Sequence, residues 1–177
     1  MTTGTLTLVR PQPDEYASYY GRYISLIDSD DVLTRLEQQG TETVALFSQL
    51  SADKAGFRYA PGKWSVKEVF GHMIDTERIL AYRALRIARG DRTPIESFEQ
   101  DDYVRNGGFD HRTLADLTEE FQAVRTATLH LFRHFDATAV ARRGIANKNE
   151  VSVRALAYII AGHEQHHRRV IEEKYLK

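Results

Sequence analysis

Between Leu114 and Phe135 the apolar residues Leu114, Leu117, Phe121, Val124, Leu131 and Phe135 recur at intervals of three and four, with Thr128 filling the one gap. That rhythm is the seam of an α-helix buried along one side of a bundle, and no other feature constrains the fold as tightly. Three further stretches follow it less strictly. The first runs from about Asp31 to Gln49 and carries Leu33, Leu36, Val44 and Phe47. The second runs from Ser65 to near Gly90 with Val66, Phe70, Met73, Leu80, Ala84 and Ile87, interrupted by Glu77. The last runs from about Ser152 to Lys174 with Val153, Leu156, Ile160, Val170 and Ile171.

Local chemistry supports these boundaries. Ser65-Val66-Lys67-Glu68 fits a capping box, in which the Ser and Glu side chains satisfy backbone N–H groups reciprocally. Pro61-Gly62 marks the turn before it, and Gly90 suits the left-handed position after the helix. Asp14–Ile27 places Tyr16, Tyr19, Tyr20, Tyr23 and Ile27 at helical spacing, which predicts a short additional amphipathic helix. The long connection from Asp91 to Arg112 has room for another, over Phe98–Val104. No segment shows a convincing strand alternation. The expected fold is all-α: an antiparallel up-and-down four-helix bundle with a short extra N-terminal helix. The expected organisation is an N-terminal arm, residues 1–13, followed by a single domain, residues 14–177.

Composition removes several function classes. The 177 residues include no cysteine, which excludes a disulfide framework, a thiolate metal site and a cysteine nucleophile. A formal net charge of -1 and the lack of a basic stripe with interleaved aromatics argue against a nucleic-acid partner. The longest apolar run is too short to span a bilayer, and the Thr-rich start lacks the basic and apolar regions of a secretory signal. A cytoplasmic location, with no membrane partner, is the default expectation.

The seven histidines then become the natural place to look for chemistry. A helix advances about 100° per residue, so His163 and His167 lie about 40° apart and both fall within the apolar stripe of the last helix. His166 falls at the edge of that stripe. His130 and His134 share the same spacing, but they lie on the side of their helix away from the apolar seam and read as solvated. His111 precedes that helix as a capping or surface residue. His72 sits beside Val69 and Met73 on the second helix.

Two buried imidazoles one turn apart can chelate an ion, and a third from a facing helix would leave one coordination position open. The competing reading is core histidines bonded to ordinary protein acceptors. Glu77, a carboxylate inside an apolar stripe, is expensive unless paired or near a metal. It is a candidate catalytic residue, and Asp75 and Glu164 are candidates to orient ligands. Arg83, Arg86 and Arg105 read as solvated helix residues that could also meet an anionic cofactor.

Three stretches together resemble the DinB/YfiT-like superfamily of small bacterial metal-binding bundles. They are Pro61-Gly62-Lys63-Trp64-Ser65 through His72 to Arg78, the loop Ser97–Tyr103 with Gly108-Phe109-Asp110, and Ser152–Leu156 leading to Gly162-His163-Glu164-Gln165-His166-His167. The resemblance implies an antiparallel four-helix bundle, usually a homodimer, holding a divalent metal ion, zinc or nickel, through His72, His163 and His167. The Tyr-rich first helix is a candidate dimer interface. The resemblance further implies a metal-dependent transferase that uses a low-molecular-weight thiol cosubstrate on a small-molecule substrate. The alternatives are a hydrolase using metal-activated water and a non-catalytic metal-binding stress-response protein.

Overall fold

The structure, a computed structural model, describes residues 8–177. Its helices are α1 (Gly21–Ile24), α2 (Val32–Ser48), α3 (Ala52–Ala55), α4 (Val66–Ala88), α5 (Gln100–Gly107), α6 (Leu114–Arg133), α7 (Ala137–Ala141) and α8 (Val153–Val170). The four long ones, α2, α4, α6 and α8, form the bundle. A hairpin of β1 (Arg143–Ala146) and β2 (Asn149–Ser152) precedes α8, and the chain ends on a π turn, Ile171–Tyr175. No described helix is long and apolar enough to cross a membrane.

The helix starts follow the expected chemistry. Asp31 accepts from the Thr34 N–H, and Ser152 accepts from the Ala155 N–H. Ser65 and Glu68 make the full reciprocal box. Each cap satisfies a donor that the helix itself leaves unpaired.

Three expectations need adjustment. The Tyr-rich segment is not one helix over Asp14–Ile27. It consists of 3-10 turns at Pro13–Glu15 and Ser18–Tyr20, followed by the single turn of α1. Extended backbone at Tyr16 and Ala17 lets buried Glu15 take both oxygens to Arg154 of α8, and a continuous helix would forfeit that pairing. Residues 1–7 of the expected N-terminal arm lie outside the described residues. Within the described part of it Leu8 and Pro11 are buried and Val9, Gln12 and Pro13 exposed, and the Leu8 carbonyl accepts from the Tyr158 hydroxyl at 3.2 Å. The short helix expected at Phe98–Val104 lies at Gln100–Gly107.

The hairpin is a correction, because no strand was expected. Its strands pair antiparallel from Arg143↔Ser152 to Ala146↔Asn149, around a turn in which Asn147 and Lys148 both have positive φ. That left-handed pair matches the twist of a two-residue hairpin. Ile95 then clips the α4–α5 connection to the hairpin tip: its N–H donates to the Ile145 carbonyl, and its carbonyl accepts from the Asn147 N–H, both at 2.9 Å.

The apolar interior divides into two clusters. One includes Leu36, Leu80, Phe132, Leu156 and Ile160. The other includes Phe47, Phe70, Met73, Leu117, Phe121 and Ile171, with the Phe47 and Phe70 rings stacked at 3.8 Å. A buried polar layer lies between them in the sequence of every long helix. Arg125 of α6 donates from Nε and Nη2 to the Glu77 carboxylate of α4 at 2.9 and 2.7 Å. Its Nη2 also donates to Glu164 of α8 at 2.6 Å, and its Nη1 to the Leu36 carbonyl of α2 at 2.7 Å. Thr43 of α2 donates to the remaining Glu164 oxygen at 2.5 Å. The three charged side chains are each 4% exposed.

Removing Arg125 strands two buried carboxylates. Arg125→Met is expected to cost about 3–5 kcal/mol in chemical denaturation, and adding Glu77→Gln and Glu164→Gln should recover much of it. A loss below about 1 kcal/mol in the single variant would contradict the coupling, because that is the range of exposed pairs.

Candidate metal centre

His72 of α4 and His163 and His167 of α8 converge. The Nε2 atoms of His72 and His167 each stand 3.1 Å from His163 Nε2, and the three ligand atoms lie within 4.8 Å of one another. Two glycines permit the approach. A Cβ on Gly162, just before His163, would stand 2.2 Å from the Tyr23 carbonyl oxygen. One on Gly71, just before His72, would stand 2.3 Å from the Phe109 ring. The Trp64 ring packs on His72 at 4.8 Å and the Tyr23 ring on His163 at 5.5 Å.

The two 3.1 Å separations fit a shared cation. Ligands about 2.0–2.1 Å from one ion, at tetrahedral or octahedral angles, stand roughly 2.9–3.4 Å apart. Hydrogen bonding does not account for the trio. A ring nitrogen carries one hydrogen or one lone pair, so His163 Nε2 can satisfy only one of its two neighbours.

The imidazoles are also in the right protonation state. Burial pushes His72 down from the usual 6.5 to about 4, with the nearby His166 adding to the effect. Burial, and then the neighbouring rings, hold His163 and His167 well below that usual value. Neutral imidazole is the ligand form. Thr76 Oγ1 stands 3.5 Å from His72 Nδ1, on the far side of the ring from the cluster.

The other histidines stay apart from this point. His166 is half-buried, edge-on to Tyr23 at 5.4 Å and to His167 at 5.0 Å. His130 and His134 are exposed and stacked on each other at 6.1 Å, and His111 is exposed as well.

The acidic and basic candidates separate just as clearly. Glu77 and Glu164 direct their carboxylates at Arg125, away from the imidazole nitrogens. Burial pushes the Glu164 carboxyl up, against the opposing pull of Arg125. Asp75 is 3.7 Å from Arg78. Arg86 pairs with Asp91 and Arg105 with Asp102, whereas Arg83 is buried at the edge of a cavity.

That cavity, about 370 Å³, opens onto His72 and His163. Its walls come from the Tyr-rich segment, the Ser97–Gln100 stretch and the hairpin residues Asn147 and Asn149. Sequence reasoning did not assign these wall residues to the site, nor did it find Arg125. For Arg125 a signal existed: it lies four residues after Phe121 and four before Leu129, on the buried side of α6. The cavity wall had none, because three segments far apart in sequence build it.

Known proteins can now be set beside this geometry. The sequence matches the DinB superfamily over residues 35–171. The chain belongs to that superfamily. No curated protein sequence matches it. Among solved structures it is similar to YfiT from Bacillus subtilis, described as a probable metal-dependent hydrolase with an unusual four-helix bundle topology. The TM-score is 0.70 at 14% identity, over 97% of this chain and 92% of that one. It is also similar to a mycothiol-dependent maleylpyruvate isomerase, with a TM-score of 0.66 at 11% identity over 81% of this chain. The match spans 60% of the isomerase. At these identities the likeness establishes the fold, and the site stands on its own geometry.

The lowered histidines set a pH dependence for the metal-free protein. Each binds a proton more readily unfolded than folded, so its contribution to stability is complete above about 6.5 and is lost as pH falls, toward about 4 for His72 and further down for His163 and His167. In chelator, the melting temperature should drop across that window, and His72→Phe should flatten the drop. A wild-type profile no steeper than that of the variant would show that the imidazoles are not held neutral by the fold.

Proposed function

We propose that the protein is a metal-dependent enzyme in which His72, His163 and His167 hold one divalent ion, zinc or nickel. The convergence of three Nε2 atoms, with the rings of His72 and His163 lining the 370 Å³ cavity, carries the reading. Such an ion supplies Lewis acidity, which brings the pKa of a thiol or water at its open position down toward neutrality.

The reaction we favour is transfer of a low-molecular-weight thiol to an electrophile. The chain has no cysteine, so the nucleophilic sulfur arrives with the cosubstrate. The cavity is large enough for an organic ligand rather than a single water. A thiol, with an ordinary pKa near 8.5, also needs less help from a base than water does. The two carboxylates best placed in sequence to act as that base, Glu77 and Glu164, are occupied by Arg125. Glu77 therefore serves as a positioning residue for α4, and the catalytic assignment moves to the histidine cluster. The polarity of the described surface and the absence of a described spanning helix support a cytoplasmic setting, and we take the active form to be a homodimer.

Hydrolysis is the second reading. It is favoured by the near-complete structural overlap with YfiT, described as a probable metal-dependent hydrolase.

Protein loaded with zinc or nickel is to be assayed with glutathione and 1-chloro-2,4-dinitrobenzene, and with p-nitrophenyl acetate without thiol. Thiol-dependent turnover that disappears in His163→Ala supports transfer, and ester turnover without thiol supports hydrolysis. Each of His72→Ala, His163→Ala and His167→Ala should weaken metal binding by about 100-fold or more in a calorimetric titration. Undiminished affinity in any one of them removes that residue from the set. Metal binding that raises the melting temperature, with neither activity, supports a structural ion.

A further inference from the structure

One buried charge has no counter-charge. Arg83 lies on α4, on the same face as His72, reached by steps of four, four and three through Thr76 and Leu80. It is 3% exposed. Of the five N–H donors of its guanidinium, Nη2 donates to the Glu96 carbonyl at 3.0 Å, while Nε is buried with no partner. No carboxylate among the described residues forms an ion pair with it. Arg125, equally buried, has two carboxylates. A buried guanidinium without a counter-charge is costly in a medium of low polarity. Its side chain lines the cavity that holds His72 and His163, between the apolar surfaces of Leu80, Phe98 and Ile159. Glu99 also lines that cavity, but it is exposed and leaves Arg83 unpaired.

We infer that Arg83 is the recognition residue for a carboxylate on the substrate, so that the site acts on small organic acids with an apolar body. The inference rests on the reading of the histidine cluster as the reacting centre, and it names the substrate class. Guanidinium geometry matches the two oxygens of a carboxylate. Eleven residues of helix separate the Cα atoms of His72 and Arg83 by roughly 16 Å. The carboxylate and the reacting carbon are therefore separated by a chain or ring several atoms long.

Calorimetric titration of chelator-treated protein with 3-phenylpropionate and with uncharged 3-phenylpropanamide tests this apart from any turnover. The acid should bind wild type at least tenfold more tightly than the amide. Arg83→Met should erase the preference, Arg83→Lys should keep part of it, and Arg22→Gln, at the outer edge of the Tyr-rich segment, should leave it intact. The guanidinium keeps its charge across the range, so the preference should persist from pH 6 to pH 9. Should Arg83→Met fail to fold, the wild-type pH series, Arg83→Lys and Arg22→Gln decide the question. Equal affinity for the two probes, no detectable binding of the acid at millimolar concentration, a preference that survives Arg83→Met, or one that falls away between pH 6 and pH 9, each overturns the assignment. Zinc binding without an acid preference removes the Arg83 inference alone. An acid preference in a protein that does not bind zinc supports anion recognition and removes the metal reading instead.

Discussion

The bundle is organised around a guanidinium that has been taken out of water. Arg125 reaches Glu77, Glu164 and the Leu36 carbonyl, and Thr43 closes the remaining Glu164 oxygen, so one charge cluster touches α2, α4, α6 and α8. Desolvating three charged groups costs several kcal/mol per ion, and the arrangement is tolerable only because nearly every donor and acceptor is matched. That demand fixes geometry more sharply than apolar contact does, since methyl groups slide at little cost and forked hydrogen bonds do not. Gly40 belongs to the same requirement: a Cβ there would stand 3.2 Å from the Arg125 side chain.

The polar layer also sets the register of the candidate metal centre. Glu164 directly follows His163, and Glu77 lies five residues beyond His72. A slip of one residue in either helix turns its side chains by about 100° and moves Glu and His together. The register that gives Arg125 both carboxylates is thus the one that lets the Nε2 atoms of α4 and α8 approach to 3.1 Å. Burial of the acids and convergence of the bases are two consequences of one packing arrangement.

What could be read from the sequence follows the range of the interactions involved. The caps at Asp31, Ser65 and Ser152 act over three residues; the Ser65 box is legible in the local sequence, and apolar spacing brings the other two starts close. The separation of His163 and His167 from His130 and His134 was legible too, because helical periodicity places each pair relative to its own apolar stripe. The hairpin was not legible. Its strands are four residues each, and its turn uses Asn147-Lys148 rather than a glycine. The break after Glu15 was hidden for a different reason: the helical spacing of the tyrosines is genuine, but the Glu15–Arg154 pair, 139 residues apart, outweighs it. Glu77 marked itself as anomalous in an apolar stripe, and only the fold names Arg125 as the cause.

The charge arrangement around the cluster bears on whether an ion there would be structural or reactive. A structural site surrounds its ion with four protein ligands, often including anions that neutralise it. Here the described residues offer three ligands, all neutral, with the neighbouring acids turned away toward Arg125. A divalent ion held by them would keep its full charge, and two of the three rings line a cavity that also holds a guanidinium without a counter-charge. Positive potential confined by apolar walls would favour anionic ligands. Because burial holds the three histidines neutral, the positive charge of the site comes from Arg83 and would be added to by the ion, not by its ligands.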